Sequence, residues 1–187
     1  MKKIQIVIAD YNSGSQTFCE KLNEINSSKN IDLRELIRSE IREKSVLGKE
    51  IKDCIDKGKL LDTNLINKLI TKEISKYHSD ITILNYPRTE EQYNSLIKII
   101  NIDKFWHLKL DNIDYLAKKE YLKIDKNYSA KYDITIETIK KKIITKQNEY
   151  QLIVDIMQKD LNYTLISIDY GKESSMIDYF IDKIKSA

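Results

Sequence analysis

The sequence predicts an α/β protein of three layers, with about five parallel strands and helices on both faces of the sheet. Three observations carry that reading. Short β-branched runs alternate with longer stretches of helical periodicity along the whole chain. Ile4–Ala9 and Ile81–Tyr86 are apolar at nearly every position, as strands covered on both faces are. The second run leads into Pro87, the single proline of the chain, which cannot donate to a ladder. Thr89 then stands where a helix cap is wanted, with Glu90 and Glu91 in the turn that follows.

The elements follow in order. Ile4–Ala9 is the first strand, and Ile81–Tyr86 is its expected central neighbour. The polar stretch Asp10–Thr17 leads into a helix whose Phe18, Leu22 and Ile25 share a face. A strand, a short polar loop and a helix make the geometry of a phosphate-binding loop. Residues 27–30 read as loop, with any second strand close by. Asp32–Glu43 reads as a helix, and Lys49–Lys57 as another with Gly58 in a C-cap role. Leu65, Ile66, Leu69, Ile70 and Ile74 mark a third. After Gln92 a helix turns Tyr93, Leu96, Ile97 and Ile100 inward. Phe105–Leu110 is a strand, Tyr115–Leu122 a helix, and Lys123–Tyr132 is polar without pattern. Ile136, Ile139, Ile143, Tyr150, Ile153 and Met157 follow one long helix. Tyr163–Ile168 is the last strand, Asp169-Tyr170-Gly171 its turn, and Ile177, Phe180, Ile181 and Ile184 face the closing helix inward.

Composition narrows the function. A length of 187 residues suits one domain, 1–187. The net charge of +3, with lysines interleaved among acids, is no nucleic-acid footprint. No apolar run approaches the ~20 residues of a membrane span. Met1-Lys2-Lys3 leads straight into a strand, so the expectation is a cytoplasmic protein without membrane or nucleic-acid partners. Cys19 and Cys54 form no redox or metal motif and read as inert buried thiols. His78 and His107 have no partners at ligand spacing, so no metal site is expected.

Four segments occur in a fixed order: Leu33-Arg34; Leu47-Gly48-Lys49; Asp56-Lys57-Gly58-Lys59-Leu60-Leu61; and Tyr86-Pro87-Arg88-Thr89 followed by Gln92. On these segments the chain, from Ile4 to about Leu152, resembles the adenylate kinases and related nucleoside monophosphate kinases. The resemblance implies their P-loop three-layer fold: a core of 1–30, 77–112 and 136–187, a small helical monophosphate-binding lobe at about 31–76, and a short lid at about 119–135. It implies that Arg34 and Arg88 hold a monophosphate, that Gln92 reads the adenine edge and that Leu61 lines the base pocket, with AMP or ADP as the expected partner. The phosphate loop is then Gly14, Ser15, Gln16 and Thr17.

Against that pattern the chain departs at chemically important places. Ala9 and Asn12 stand at loop glycines, and Ser15 at the lysine. Leu84 stands at an aspartate that helps hold magnesium's water shell, and Asn85 at a glycine used for close backbone approach. Lid arginines correspond to Lys142, Lys131 and Lys119, which keep charge without the guanidinium fork. The leading expectation is therefore a nucleotide-binding protein with an intact AMP side, a degenerate ATP loop and little or no phosphotransfer. The alternative is an active kinase of diverged mechanism using those lysines as catalytic cations, in which case Mg-ATP is required. A third possibility is a structural or interaction module with no ligand.

Overall fold

The computed structural model describes residues 2–57, 61–125, 132–169 and 175–187. Five strands, β1 (Ile4–Ala9), β2 (Lys29–Asp32), β3 (Ile81–Leu84), β4 (Lys104–Leu110) and β5 (Tyr163–Ile168), form one sheet in the order β2-β3-β1-β4-β5. Every pair is parallel, with Ile6 beside Ile83 on one side and Phe105 on the other. The expected parallel sheet with β1 and β3 adjacent is therefore present.

The strands read as continuous apolar runs because each face has its own cover. Ile4, Ile6 and Ile8 pack into one core with α4 (Thr63–Ser75), α5 (Glu90–Leu96) and the end of α7 (Ile136–Asp160). Val7 and Ala9 face the other core, made by α1 (Ser15–Asn26), α6 (Ile113–Leu122), the start of α7 and α8 (Met176–Ser186). One polar group crosses the middle with its hydrogen bonds made. Gln5 accepts from the Trp106 indole at 2.8 Å and donates to Thr82 Oγ1 at 3.2 Å, tying the three central strands together.

Between β2 and β3 lie α2 (Leu33–Arg42), α3 (Val46–Asp56) and α4. Glu40 is 2% exposed and fastens them. It accepts from Lys72 Nζ of α4 at 2.6 Å and from the hydroxyl of Ser45, which caps α3. Burial alone would raise its pKa, but the Lys72 and Ser45 hydrogen bonds hold it below the usual carboxylate value. Gly48 explains the close approach of α2 and α3. A Cβ there would lie 1.9 Å from the Glu40 carbonyl oxygen, so only glycine fits.

Several boundaries differ from the sequence reading. The second strand, expected close to the 27–30 loop, is residues 29–32 and overlaps that loop, because pairing with β3 supplies the order that a run with one apolar residue, Ile31, does not announce. The β3 strand stops at Leu84, two residues earlier than expected, since Asn85 takes a left-handed conformation at φ 61. The Tyr86–Pro87 bond is cis. The helix α3 starts at Val46, capped by Ser45, ahead of the expected Lys49. Ile25, Ile97 and Ile177 are exposed, so their helices turn narrower faces inward than expected. Cys54 is only half-buried. Gly58, Lys131, Tyr170 and Gly171 lie outside the described residues, so the C-cap, one lid lysine and most of the final turn do too.

Candidate functional site at the carboxyl edge of the sheet

Ligands in open parallel sheets bind beyond the carboxyl ends of the strands. A cleft of about 900 Å³ lies there, lined by the loop after β1 (Asp10, Tyr11, Asn12, Gly14, Ser15, Gln16), the ends of β2 and β3, and one face of α7.

The loop is shaped by two residues with positive φ, Asn12 at 58° and Gly14 at 76°. Asparagine is among the few residues that enter the left-handed region readily, so Asn12 reproduces a bend that otherwise calls for glycine. Asn85 does the same after β3. Helices α2 to α8 each start with a side-chain cap, from Asp32, Ser45, Asp62, Thr89, Asn112, Thr135 and Ser175. The N-cap of α1 is Gly14, which has no side chain to offer, so the first amides of α1 are left for another acceptor.

Asp10 anchors the loop. Its carboxylate is buried and accepts from the Leu110 amide at 2.9 Å and from Gln147 Nε2 at 2.6 Å, which fixes α7 across the ends of β1 and β4. Cys19 lines the cleft as well, but burial, reinforced by the charges of Asp32 and Glu20, pushes its pKa up to about 12. It stays a thiol and offers no nucleophile.

Arg34 and Arg88 meet at this cleft. The Arg34 guanidinium pairs with Asp32 at 2.9 Å, and that hydrogen bond raises its pKa. Asp32 also caps α2 by accepting from the Arg34 amide. The Arg88 guanidinium lies 5.5 Å from the centre of the Tyr150 ring, and its Nε donates to the Asn85 carbonyl at 3.1 Å. Gly14, Ser15 and Gln16 line the same cleft, so the structure brings the arginines and the loop of the sequence reading together.

It does not bring the rest. Gln92 turns back on its own turn, accepting from the Arg88 amide at 2.9 Å. Leu61 is partly buried against the core, and Thr17 lies one residue beyond the lining stretch of the loop. Lys142 lines a neighbouring, largely apolar pocket of about 230 Å³ with Tyr11 and Ile139. Lys119 stands in the last turn of α6, outside both linings. The sequence reading missed Lys146, Glu149 and Tyr150, which α7 contributes to the cleft. Their spacing of three and four residues puts them on one helical face, a signal that could have found them.

Leu84 packs in the core at the edge of the cleft, and its side chain has no oxygen to offer a metal. Among the described residues no group of three or more His, Cys, Asp or Glu side chains could hold one. Among the described residues, too, no helix is long and apolar enough to cross a membrane.

A parallel sheet with a phosphate-type loop at its carboxyl edge defines a class of nucleotide-phosphate-binding proteins. Comparison with known proteins narrows it. The family profile described as adenylate kinase matches residues 7–162. The chain belongs to the adenylate kinase family, and that membership implies nucleotide binding. It is 27% identical over 184 residues to an adenylate kinase of Prochlorococcus marinus (strain MIT 9301), covering 96% of this chain and 90% of that protein. It is 33% identical over 100 residues to an adenylate kinase of Prochlorococcus marinus (strain MIT 9515), covering 54% of this chain and 55% of that protein. It is 31% identical over 110 residues to the GTP:AMP phosphotransferase of Plasmodium falciparum (isolate 3D7), covering 57% of this chain and 48% of that protein. The aligned part thus spans about half the length of the last two relatives.

Proposed function

We propose that this protein is an active nucleoside monophosphate kinase of diverged mechanism, passing the terminal phosphoryl group of a nucleoside triphosphate to AMP. The observation that carries the reading is the shape of the cleft's backbone. Asn12 and Asn85 stand where the resemblance implies glycines, and both keep the left-handed conformation. Asparagine enters that region more readily than other side-chain-bearing residues, so both bends keep the backbone shape of the cleft without glycine, which supports a retained site. The relatives support the reading, since their names describe enzymes and one names AMP as its substrate. The expected loss of activity has no support from them.

In this reading Arg34 and Arg88 hold the monophosphate. Arg88 is already placed by Tyr150, Asn85 and Gln92, so little side-chain freedom is lost on binding. The loop amides and the start of α1 receive the donor's phosphates. An oxygen of the AMP phosphate then forms a bond to the terminal phosphorus of the triphosphate as the bridging P–O bond breaks, giving two diphosphates. Asn30 lines the same cleft with a buried side-chain oxygen that has no hydrogen-bond partner among the described residues, an acceptor available to a ligand.

A coupled assay of ADP formation from ATP and AMP tests this. Turnover at or above the ~1 per second low end of kinases supports it. AMP binding without turnover would instead favour a nucleotide-binding protein that does not transfer phosphate, the second reading, for which Ser15 and Leu84 speak.

A further inference from the structure

We propose that Lys146 is the cation that holds the phosphate chain of a nucleoside di- or triphosphate on the loop after β1, doing from helix α7 what no side chain of the loop can do. The proposal rests on the reading above, that this loop cradles a nucleotide.

Residues 10–17 are Asp, Tyr, Asn, Ser, Gly, Ser, Gln and Thr, so the loop has amides for a phosphate but no positive side chain. Three cations line the cleft among the described residues: Arg34, Arg88 and Lys146. The two arginines follow β2 and β3 and already have partners there, Asp32 for one, the Asn85 carbonyl and Tyr150 ring for the other. Lys146 is on the loop's side. Its Nζ lies 4.7 Å from the centre of the Tyr11 ring, and Tyr11 belongs to the loop. The ring face holds the ammonium at the loop, where a bound phosphate would need a positive charge.

The position of Lys146 is not left to a flexible stem alone. Its neighbour Gln147 donates to Asp10 Oδ2 at 2.6 Å and to the Leu110 carbonyl at 3.2 Å, so α7 is clamped to the loop's first residue. Lysine acts on phosphate as a point charge and needs no fork geometry, so its ammonium can serve from a different backbone position provided it reaches. Lys146 also borders the apolar pocket of about 230 Å³, which places it at the junction of the two cavities. Carboxylates of Asp10, Glu20, Asp32, Glu35 and Glu149 also line the cleft, so an anion on the loop's side needs the positive charge that Lys146 supplies there. Tyr150, which carries Arg88, is one helical turn beyond Lys146, about 6 Å along the axis. One helix face thus sets two cations at neighbouring places in one cleft.

The test is calorimetric titration of a non-hydrolysable ATP analogue into AMP-saturated protein, so that the arginine side is already filled. Wild type, Lys146→Gln, Lys141→Gln and the double variant Ser15→Lys/Lys146→Gln are compared, with AMP titrated separately and thermal melts run on each. The expected result is that Lys146→Gln weakens the analogue at least tenfold, while AMP affinity and melting stay near wild type. Lys141→Gln, an exposed lysine of the same helix outside both linings, changes the analogue less than threefold. The double variant regains binding, because the charge returns by the loop route. Analogue affinity within twofold of wild type in Lys146→Gln overturns the proposal, as does a double variant no tighter than Lys146→Gln. Wild type that binds AMP but not the analogue also overturns it, while leaving the AMP side of the proposed function standing. Wild type that binds neither ends both.

Discussion

The two halves of the cleft solve the same problem by different means. On the side of β2 and β3, the cations Arg34 and Arg88 are encoded next to the strands they follow, and the backbone beside them bends at Asn85. On the side of β1, the bend is kept by Asn12 and Gly14, but the adjacent lysine position holds Ser15. Backbone shape and side-chain charge are therefore separable properties of a phosphate site. Shape must be local, because only the residue that bends can bend. Charge need only reach, and a helix from far along the chain can bring it.

The comparison can be broken most directly at Arg88. Arg88→Ala should weaken AMP binding by about 1.5 to 3 kcal/mol, the usual size for bonds to a charged group. Calorimetric titration of AMP checks this, and unchanged affinity would remove the β3 side from the phosphate site.

A next smaller effect is expected from the bends. Asn12→Val and Asn85→Val force a β-branched residue to positive φ, which costs roughly 1 to 2 kcal/mol of stability each. Denaturant unfolding measures it. If either variant is as stable as wild type, the bend at that position is not imposed by its surroundings, and the claim that shape is local fails there.

Smaller again is the effect of releasing Arg34. Asparagine can cap α2 as aspartate does, but it gives up the ion pair, so Asp32→Asn frees the guanidinium without unwinding the helix. The pair is half-exposed, and such pairs are worth ~1 kcal/mol or less. AMP affinity should rise a few-fold in the variant, with melting temperature little changed. A fall in affinity would show that Asp32 positions Arg34 for the ligand rather than competing with it.

The smallest expected change is at Gln92. Its side chain accepts from the Arg88 amide and does not line the cleft, so Gln92→Ala should cost ~0.5 kcal/mol of AMP binding. The ranking of AMP, GMP and CMP should stay as in wild type. A changed ranking would return Gln92 to the base-reading role that the sequence implies for it.

How much of this was legible follows the range of the interactions. Strands β1, β3, β4 and β5 announce themselves because their own residues are apolar, and α4 does so through its spacing of Leu65, Ile66, Leu69, Ile70 and Ile74. Residues 29–32 do not, because β2 is a strand by virtue of its partner. The start of α3 was hidden by Gly48, a poor helix former that is there for a tertiary reason, the backbone of Glu40 against it. In the site, Arg34 and Arg88 could be found because they adjoin motif segments. Lys146 could not be placed the same way. The contact that positions its helix, Gln147 to Asp10, spans 137 residues, and one lysine among the chain's 32 Lys and Arg carries no local mark.

Helix α7 is a single rod of 25 residues, and it holds Lys146 on Tyr11 and Tyr150 under Arg88. A ligand that draws Lys146 away from its ring and a ligand that draws Arg88 away from its own both pull on the same body. Their affinities are then linked quantities, and linkage runs equally in both directions. By whatever factor a nucleotide on the loop alters the affinity for AMP, AMP alters the affinity for that nucleotide by the same factor. Two titrations in opposite order close this cycle, and their agreement gives the coupling between the two halves as one number.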